Sequence, residues 1–298
     1  MIDIVIVTQR EYLEPKVNDQ YHRNILIEDK LLMDAIEKHG LSTKRVSWDD
    51  QQFDWSTTKM AVIRATWDYF HRIDEYRDWL NVVKNQTNLI NPYSTLTWNL
   101  DKRYLKDLFE KGINIPETRF IEQGDLRSLS SICEITQWEK WVLKPAISGA
   151  ARHTYLFDKE TILDHDEIFR KLIDKEAMLL QRFQPSVMEM GEWTLVIING
   201  QYTHAVLKKA RPGDFRVQDD FGGTVHDHEA SQEEIDFAEK VMSTVNPVPA
   251  YGRVDIIRDV CGNFAVQELE LIEPELWFRN CPQAATLLAD YLVNHLPH

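Results

Sequence analysis

Glu268 and Glu270, in the stretch FAVQELELIE, stand two residues apart in a run whose alternation predicts a β-strand. Strict alternation puts them on one face with Phe264 and Val266, and puts Gln267, Leu269 and Leu271 on the other. Like charges so placed repel. The preceding YGRVDIIRD predicts the partner strand of a hairpin that turns at VCGN, which brings Asp255 near both glutamates. Three carboxylates facing one point make a hard oxygen donor set suited to Mg²⁺, which keeps part of its shell for water and phosphate. A bound cation would remove the repulsion; a solvated acidic face is the plainer alternative.

Basic residues elsewhere fit such a centre. Lys144 ends the apolar run WVLKPA and precedes the small-residue loop ISGAAR, an arrangement that suits nucleotide phosphates. Lys102, in NLDKRYL, stands at the start of a helix, where a surface lysine is the commoner case. KKARPGDFRVQDDFGG places Lys208, Lys209, Arg211 and Arg216 in one loop with Gly222 and Gly223. Arg216 there could brace a transferring phosphoryl group, or the loop could be plain surface. Arg64, in VIRATWDYF, falls at the carboxyl end of a predicted strand, where open α/β sheets bind ligands. It could pair with a substrate carboxylate, with Trp67, Asp68 and Tyr69 as neighbours; a structural arginine among core aromatics is the alternative. His226 and His228 in VHDH read as unliganded polar-loop residues.

The elements that must position these residues fall into three blocks. IDIVIVT, STKRVSW and MAVIRAT are strands, the first a buried run of the parallel-sheet type. They alternate with a helix whose stripe is Leu26, Leu31, Leu32, Ala35 and Ile36, ended at Gly40, and with a helix carrying Tyr76, Trp79, Leu80 and Val83. An open α/β sheet over the first ninety residues follows. Next come a helix carrying Leu105, Leu108 and Phe109 and ended by Gly112, an extended stretch from Pro116, and strands KWVLKPA, HTYLFD and AMLLQRF around a helix at DEIFRKLID. The last block holds strands EWTLVIING and QYTHAVLKKA, a helix from Ser231 through Val245 opened by a Ser231–Glu234 capping box, the hairpin, and a helix at CPQAATLLADYLVNHL.

Composition bounds the function. The chain is 298 residues, 43% hydrophobic and 28% charged, a profile with material for a sizeable core. Its 48 acidic and 34 basic residues give a formal charge of -14, which argues against nucleic acid or an anionic membrane as partner. Cys133, Cys261 and Cys281 are far apart, so a reducing compartment, the cytoplasm, is expected. No apolar run is long enough to span a bilayer.

Taken in order, Lys102, Lys144, LLQRF, GEWTLVI, DFRVQDDFGG, RVDII and QELEL resemble the ATP-grasp superfamily of carboxylate–amine ligases over nearly the whole chain. IRATWDYFHR and NPYSTLTWNLDKRYL look like its D-cycloserine-forming and glutathione-synthetase-like group. The resemblance implies an α/β fold, α+β in parts, with an N-terminal open α/β domain (1–93), a small central lid domain (94–184) and a C-terminal antiparallel-sheet domain (185–298). It implies ATP with Mg²⁺, or Mn²⁺ in its place, and small carboxylate and amine substrates; a homo-oligomer is open. Lys102 and Lys144 match the lysines on the ATP phosphates, and Gln181, Arg182 and Phe183 match the strand that reads the adenine edge. Glu192 matches an acidic residue near the ribose, and Arg216 an arginine on the γ-phosphate and acyl-phosphate, making Arg216 and Lys144 the catalytic pair. Asp255, Glu268 and Glu270 match the metal ligands. The chain departs from the family in having Glu270 where asparagine is common, Ala150 and Ala151 where glycines are common, and IEPELWF in place of a Pro-Gly turn. An ATP-grasp phosphotransferase and a non-catalytic nucleotide-binding protein are the rival readings.

Overall fold

A computed structural model describes residues 1–16, 19–218 and 221–297; two residues of the quoted loop, Asp219 and Asp220, lie outside them. Strands β1 (Ile2–Thr8), β2 (Thr43–Ser47), β3 (Thr58–Ala65) and β4 (Asn88–Ile90) form a parallel sheet in the order β2-β1-β3-β4. The apolar runs of β1 and β3 are buried on both faces because helices cover them. Helix α1 (Gln20–Glu37) begins before the expected start, because the Asp19 carboxylate accepts the His22 N–H at 2.9 Å and caps it. Its buried stripe is Ile25, Leu32, Ala35 and Ile36; Ile25 takes the place expected for Leu26. Helix α2 (Ile73–Val83) buries Tyr76, Leu80 and Val83.

Helices α3 (Tyr93–Asn99) and α4 (Tyr104–Glu110) lead to the second sheet. Phe109, expected inside, is 61% exposed, because the stripe of α4 centres on Tyr104, Leu105 and Leu108 and Phe109 falls at its edge. Strand β5 (Thr118–Ile121), helix α5 (Leu129–Thr136), β6 (Lys140–Pro145), β7 (Tyr155–Asp158), α6 (Ile162–Ile173) and β8 (Met178–Arg182) follow. The sheet is antiparallel, ordered β5-β8-β6-β7, over a core that includes Trp141, Phe157 and Phe169.

After the short helix α7 (Ser186–Glu189) come β9 (Glu192–Ile198), β10 (Gln201–Lys209), β11 (Thr224–His228), α8 (Gln232–Ser243), β12 (Tyr251–Arg258), β13 (Phe264–Glu270) and α9 (Pro282–Asn294). The five strands form an antiparallel sheet in the order β11-β10-β9-β12-β13. Ser231 and Glu234 make the expected capping box on α8. Lys208 belongs to β10 and is buried, not in the loop where the basic cluster was expected. His226 and His228 lie in β11, bonded to Thr224 and Glu234. Among the described residues no helix is long and apolar enough to cross a membrane.

Strict alternation fails at one point in β13. Asp255 pairs with Glu268 but Ile256 pairs with Val266, so Gln267 is an extra, bulged residue. The bulge inverts the faces: Val266 joins the core of Leu269 and Leu271, away from the glutamates it was expected to accompany. β13 is an edge strand, and side chains cover its open side. Asn99 donates to the Leu269 carbonyl at 2.9 Å and accepts from the Leu271 N–H at 2.8 Å, and Tyr104 Oη accepts the Leu269 N–H at 2.9 Å. The N-terminal sheet is tied to the same hairpin: Tyr251 Oη donates to the Ile63 carbonyl at 2.6 Å, and Asn91 donates to the carbonyls of Tyr251 and Leu271.

Candidate active site

Asp255 on β12 and Glu268 and Glu270 on β13 each present a carboxylate oxygen within 4.8 Å of the others. Their repulsion is already offset by cations. Lys208 Nζ lies 2.8 Å from Asp255 and 2.5 Å from Glu192. Arg253, two residues before Asp255 on the same strand face, donates twice to it at 2.9 Å and also to Glu270. Lys102 Nζ donates to Glu268 at 2.5 Å and to the Ser148 carbonyl at 2.8 Å. Burial acts to raise the Asp255 carboxyl, but Arg253 and Lys208 outweigh it and hold Asp255 well below the usual carboxylate range. Burial acts likewise on Glu268, and Lys102 with Lys144 pulls it below its ordinary value. Glu270 differs: burial, with Glu268 and Asp255 adding to it against Arg253, pushes it up to about 7. Three clustered carboxylates are the donor type a hard divalent cation takes, although both Asp255 oxygens are engaged by Arg253 and Lys208. Lys102 and Arg253 engage the Oε1 atoms of the two glutamates, whose side chains remain about a quarter exposed.

Two hollows meet at these glutamates. One lies between the second and third sheets and is lined by Lys144, Gln181, Arg182, Phe183, Glu192 and Arg216. Lys144, on β6, is 7% exposed, and burial lowers its ammonium to about 8. Arg216 is held by Asp214 at 2.8 Å and lies 3.7 Å over the Phe221 ring. Gln181 donates to Thr118 Oγ1 at 3.0 Å. The N–H groups of Arg182 and Phe183 donate to the carbonyls of Glu117 and Lys140. Ala150 and Ala151 take φ values of 47° and 52°, so the alanines adopt the left-handed backbone for which glycine is the usual residue.

The other hollow opens toward the N-terminal sheet, with Tyr21, Trp67, Tyr69, Phe70, Glu273 and Trp277 in its wall. Burial, with Glu270 next, pushes the Glu273 carboxyl up to about 8. Trp67, with its neighbour Tyr69, lines this chamber, whereas Arg64 and Asp68 do not. Asp68 accepts from Trp48 Nε1 at 2.8 Å and pairs with Arg72. Arg64, 3% exposed, lies behind Trp67 in a small separate hollow, donating to the Pro274 carbonyl at 3.0 Å and facing the Tyr251 and Phe278 rings. Placed so, Arg64 supports the segment that carries Glu273 and Trp277. Arg64→Ala is expected to cost about 2–4 kcal/mol by orphaning a buried carbonyl and emptying the site, and to leave the MgATP-induced rise in Tm unchanged. Thermal melts with and without MgATP check this; a variant Tm within about a degree of the parent's would remove the supporting role.

Arg253, Glu273, Tyr21 and Trp277 had not been singled out from sequence. Arg253 carries a readable signal, since it shares a strand face with Asp255 two residues on. Tyr21, Glu273 and Trp277 carry none, because helix and loop packing brings them in.

Comparisons with known proteins bear on the fold. Residues 4–91 match the family model of the N-terminal domain of the D-cycloserine synthetase DcsG. The cycloserine biosynthesis protein DcsG of Streptomyces lavendulae is 27% identical over 286 residues, covering 89% of this chain and 92% of the relative. The crystal structure of D-cycloserine synthetase DcsG superposes with a TM-score of 0.84 at 24% identity, covering 99% of both chains. The ATP-grasp ligase PsnB, solved with a phosphomimetic variant of its minimal precursor, Mg and ADP, gives a TM-score of 0.65 at 14% identity over 98% of both chains. The chain has the fold of the ATP-grasp ligases, and residues 4–91 are similar to the N-terminal domain of D-cycloserine synthetase.

Proposed function

We propose that this ATP-grasp ligase activates a small carboxylate as an acyl-phosphate and joins it to an amine or similar nucleophile, releasing ADP and phosphate. The observation that carries the reading is the meeting of two hollows at Glu268 and Glu270, backed by the buried Asp255, with a buried lysine on one side and an aromatic chamber on the other. The nucleotide occupies the hollow of Lys144, with Gln181, Arg182 and Phe183 along its base edge and Glu192 near its ribose. The acid occupies the chamber. Its carboxylate oxygen attacks the γ-phosphorus in line, and the bond to the β,γ-bridging oxygen breaks to release ADP. The amine nitrogen then attacks the acyl carbon, sheds a proton, and phosphate leaves. Mg²⁺, or Mn²⁺ in its place, held by Asp255, Glu268 and Glu270, would neutralise phosphate charge. Lys102, Lys144 and Arg216 serve the same phosphates, and Arg253, which lines both hollows, is placed to meet an oxyanion on the acyl carbon. Residues 94–184 act as a lid between 1–93 and 185–298, and the enzyme works in the cytoplasm.

The test is an ADP-release screen over amino acids and hydroxy acids with MgATP and hydroxylamine, followed by mass spectrometry. A hydroxamate is the expected product, because hydroxylamine traps an acyl-phosphate. A stable phosphoester would replace the ligase with a phosphotransferase.

A further inference from the structure

We propose that Phe70 and Gly149 form a latch that locks the loop 146–154 onto the N-terminal sheet and keeps water from the junction of the two hollows; the proposal rests on the nucleotide reading above. A Cβ on Gly149 would stand 2.5 Å from Phe70 Cε1 and 2.8 Å from Cδ1, so the ring fits against a bare backbone. Gly149 is not among the positive-φ residues, whereas Ala150, Ala151 and His153 are, at 47°, 52° and 50°. The loop's one glycine therefore stands where space demands it, and residues with side chains take the left-handed backbone despite its cost. Ile147 packs against the same N-terminal core as Phe70. The 3₁₀ turn Tyr69–His71 presents the ring, with the Tyr69 and His71 rings at 5.7 and 4.4 Å. On its other side the loop is tied to Lys102, whose N–H donates to the Ala146 carbonyl at 2.7 Å and whose Nζ donates to that of Ser148. The loop is thus clamped between the carboxylate triad and Phe70. Phe70 lines the aromatic chamber and Gly149 lines both hollows, so their contact forms the wall beside the junction where the two meet at Glu268 and Glu270.

With the wall closed, the acid is the nucleophile that reaches the γ-phosphorus. With it open, a water oxygen attacks instead, the bond to ADP breaks, a proton goes to solvent, and ATP is spent as ADP and inorganic phosphate. Phe70→Ala, Gly149→Ala and the double variant are compared for MgATP hydrolysis with no acid or amine present, alongside thermal melts with and without Mg·AMPPNP. Each single variant should hydrolyse MgATP roughly fivefold faster than the parent or more, and keep the AMPPNP-induced rise in Tm. The double variant should hydrolyse no faster than Phe70→Ala, because removing the ring also removes what the added methyl group would strike. An unchanged or slower hydrolysis in Phe70→Ala, with the AMPPNP-induced rise intact, overturns the latch and leaves the nucleotide reading standing. A lower Tm at unchanged rate means a packing role and overturns it too. A parent protein with no AMPPNP-induced rise overturns the nucleotide reading, and the latch with it.

Discussion

Glu268→Gln is expected to lower Mg²⁺-dependent turnover of ATP roughly a thousandfold while the protein stays folded. The amide keeps the shape of the side chain and removes the charge a divalent cation needs. Asp255→Asn should lose as much turnover but is a harsher change. Asp255 is fully enclosed and answers both Lys208 and Arg253, so neutralising it leaves two buried cations short of a partner. That should cost about 3–5 kcal/mol of stability. Glu268 faces the cleft and pairs with Lys102, which also holds the Ser148 carbonyl, so its loss is milder. Neutralising Glu268 is not expected to stabilise the metal-free protein, as simple repulsion would have it, because Lys102 already answers its charge. Steady-state ADP release across a Mg²⁺ titration, with melts to confirm folding, measures both effects. Turnover within about threefold of the parent for both variants would sink the metal assignment.

Lys144→Met is expected to act in opposite directions on the free and the nucleotide-bound protein. Lys144 Nζ has no hydrogen-bond partner among the described residues, and burial brings its ammonium down to about 8 from an ordinary 10.5. The folded state thus binds this proton less tightly than the unfolded chain. The cost, at most about 3 kcal/mol, is fully present below pH 8 and fades as pH rises from 8 toward 10.5. Methionine removes it, so the free variant should melt higher than the parent at pH 7, and the gain should shrink by pH 10. Bound phosphates supply the missing partner, so MgATP should raise the Tm of the parent and lose most of that effect in the variant. Nucleotide affinity of the parent should weaken above pH 8, where binding must take up a proton. An equal MgATP-induced shift in parent and variant would remove Lys144 from the phosphate site.

The carboxylate triad was legible because acid–apolar alternation survives in YGRVDII and QELEL, and a hairpin needs only a turn to bring the strands together. The bulge at Gln267 was not, because an extra residue in a ladder has no composition signature here. It changed Val266's face and left the glutamates together. Lys208 reads both as part of the strand QYTHAVLKKA and as part of the basic loop, because KKA opens a run rich in basic residues; the strand, Gln201–Lys209, holds it. Arg64 shows the limit of reasoning from a strand's end. The strand was right, but Trp67 and the Pro274 segment stand between its guanidinium and the chamber. Helix α5 carried no expectation because LSSICEIT is too short for a periodic stripe to stand out.

Helix α9 lays Ala284, Ala285, Leu288, Ala289 and Leu292 into the same core as Ile4, Ile6, Leu32 and Ile36. The face of α1 that should shelter the first sheet therefore waits, during synthesis, for residues made some 250 positions later. Residues 4–91 are matched as a unit but cannot be expected to fold to completion as one, because their apolar surface stays open until the final helix docks. Contacts of such long sequence separation close late and slowly. The nascent N-terminal segment is thus an exposed client for chaperones through most of translation, and a chain cut before Pro282 should fail first at its opposite end.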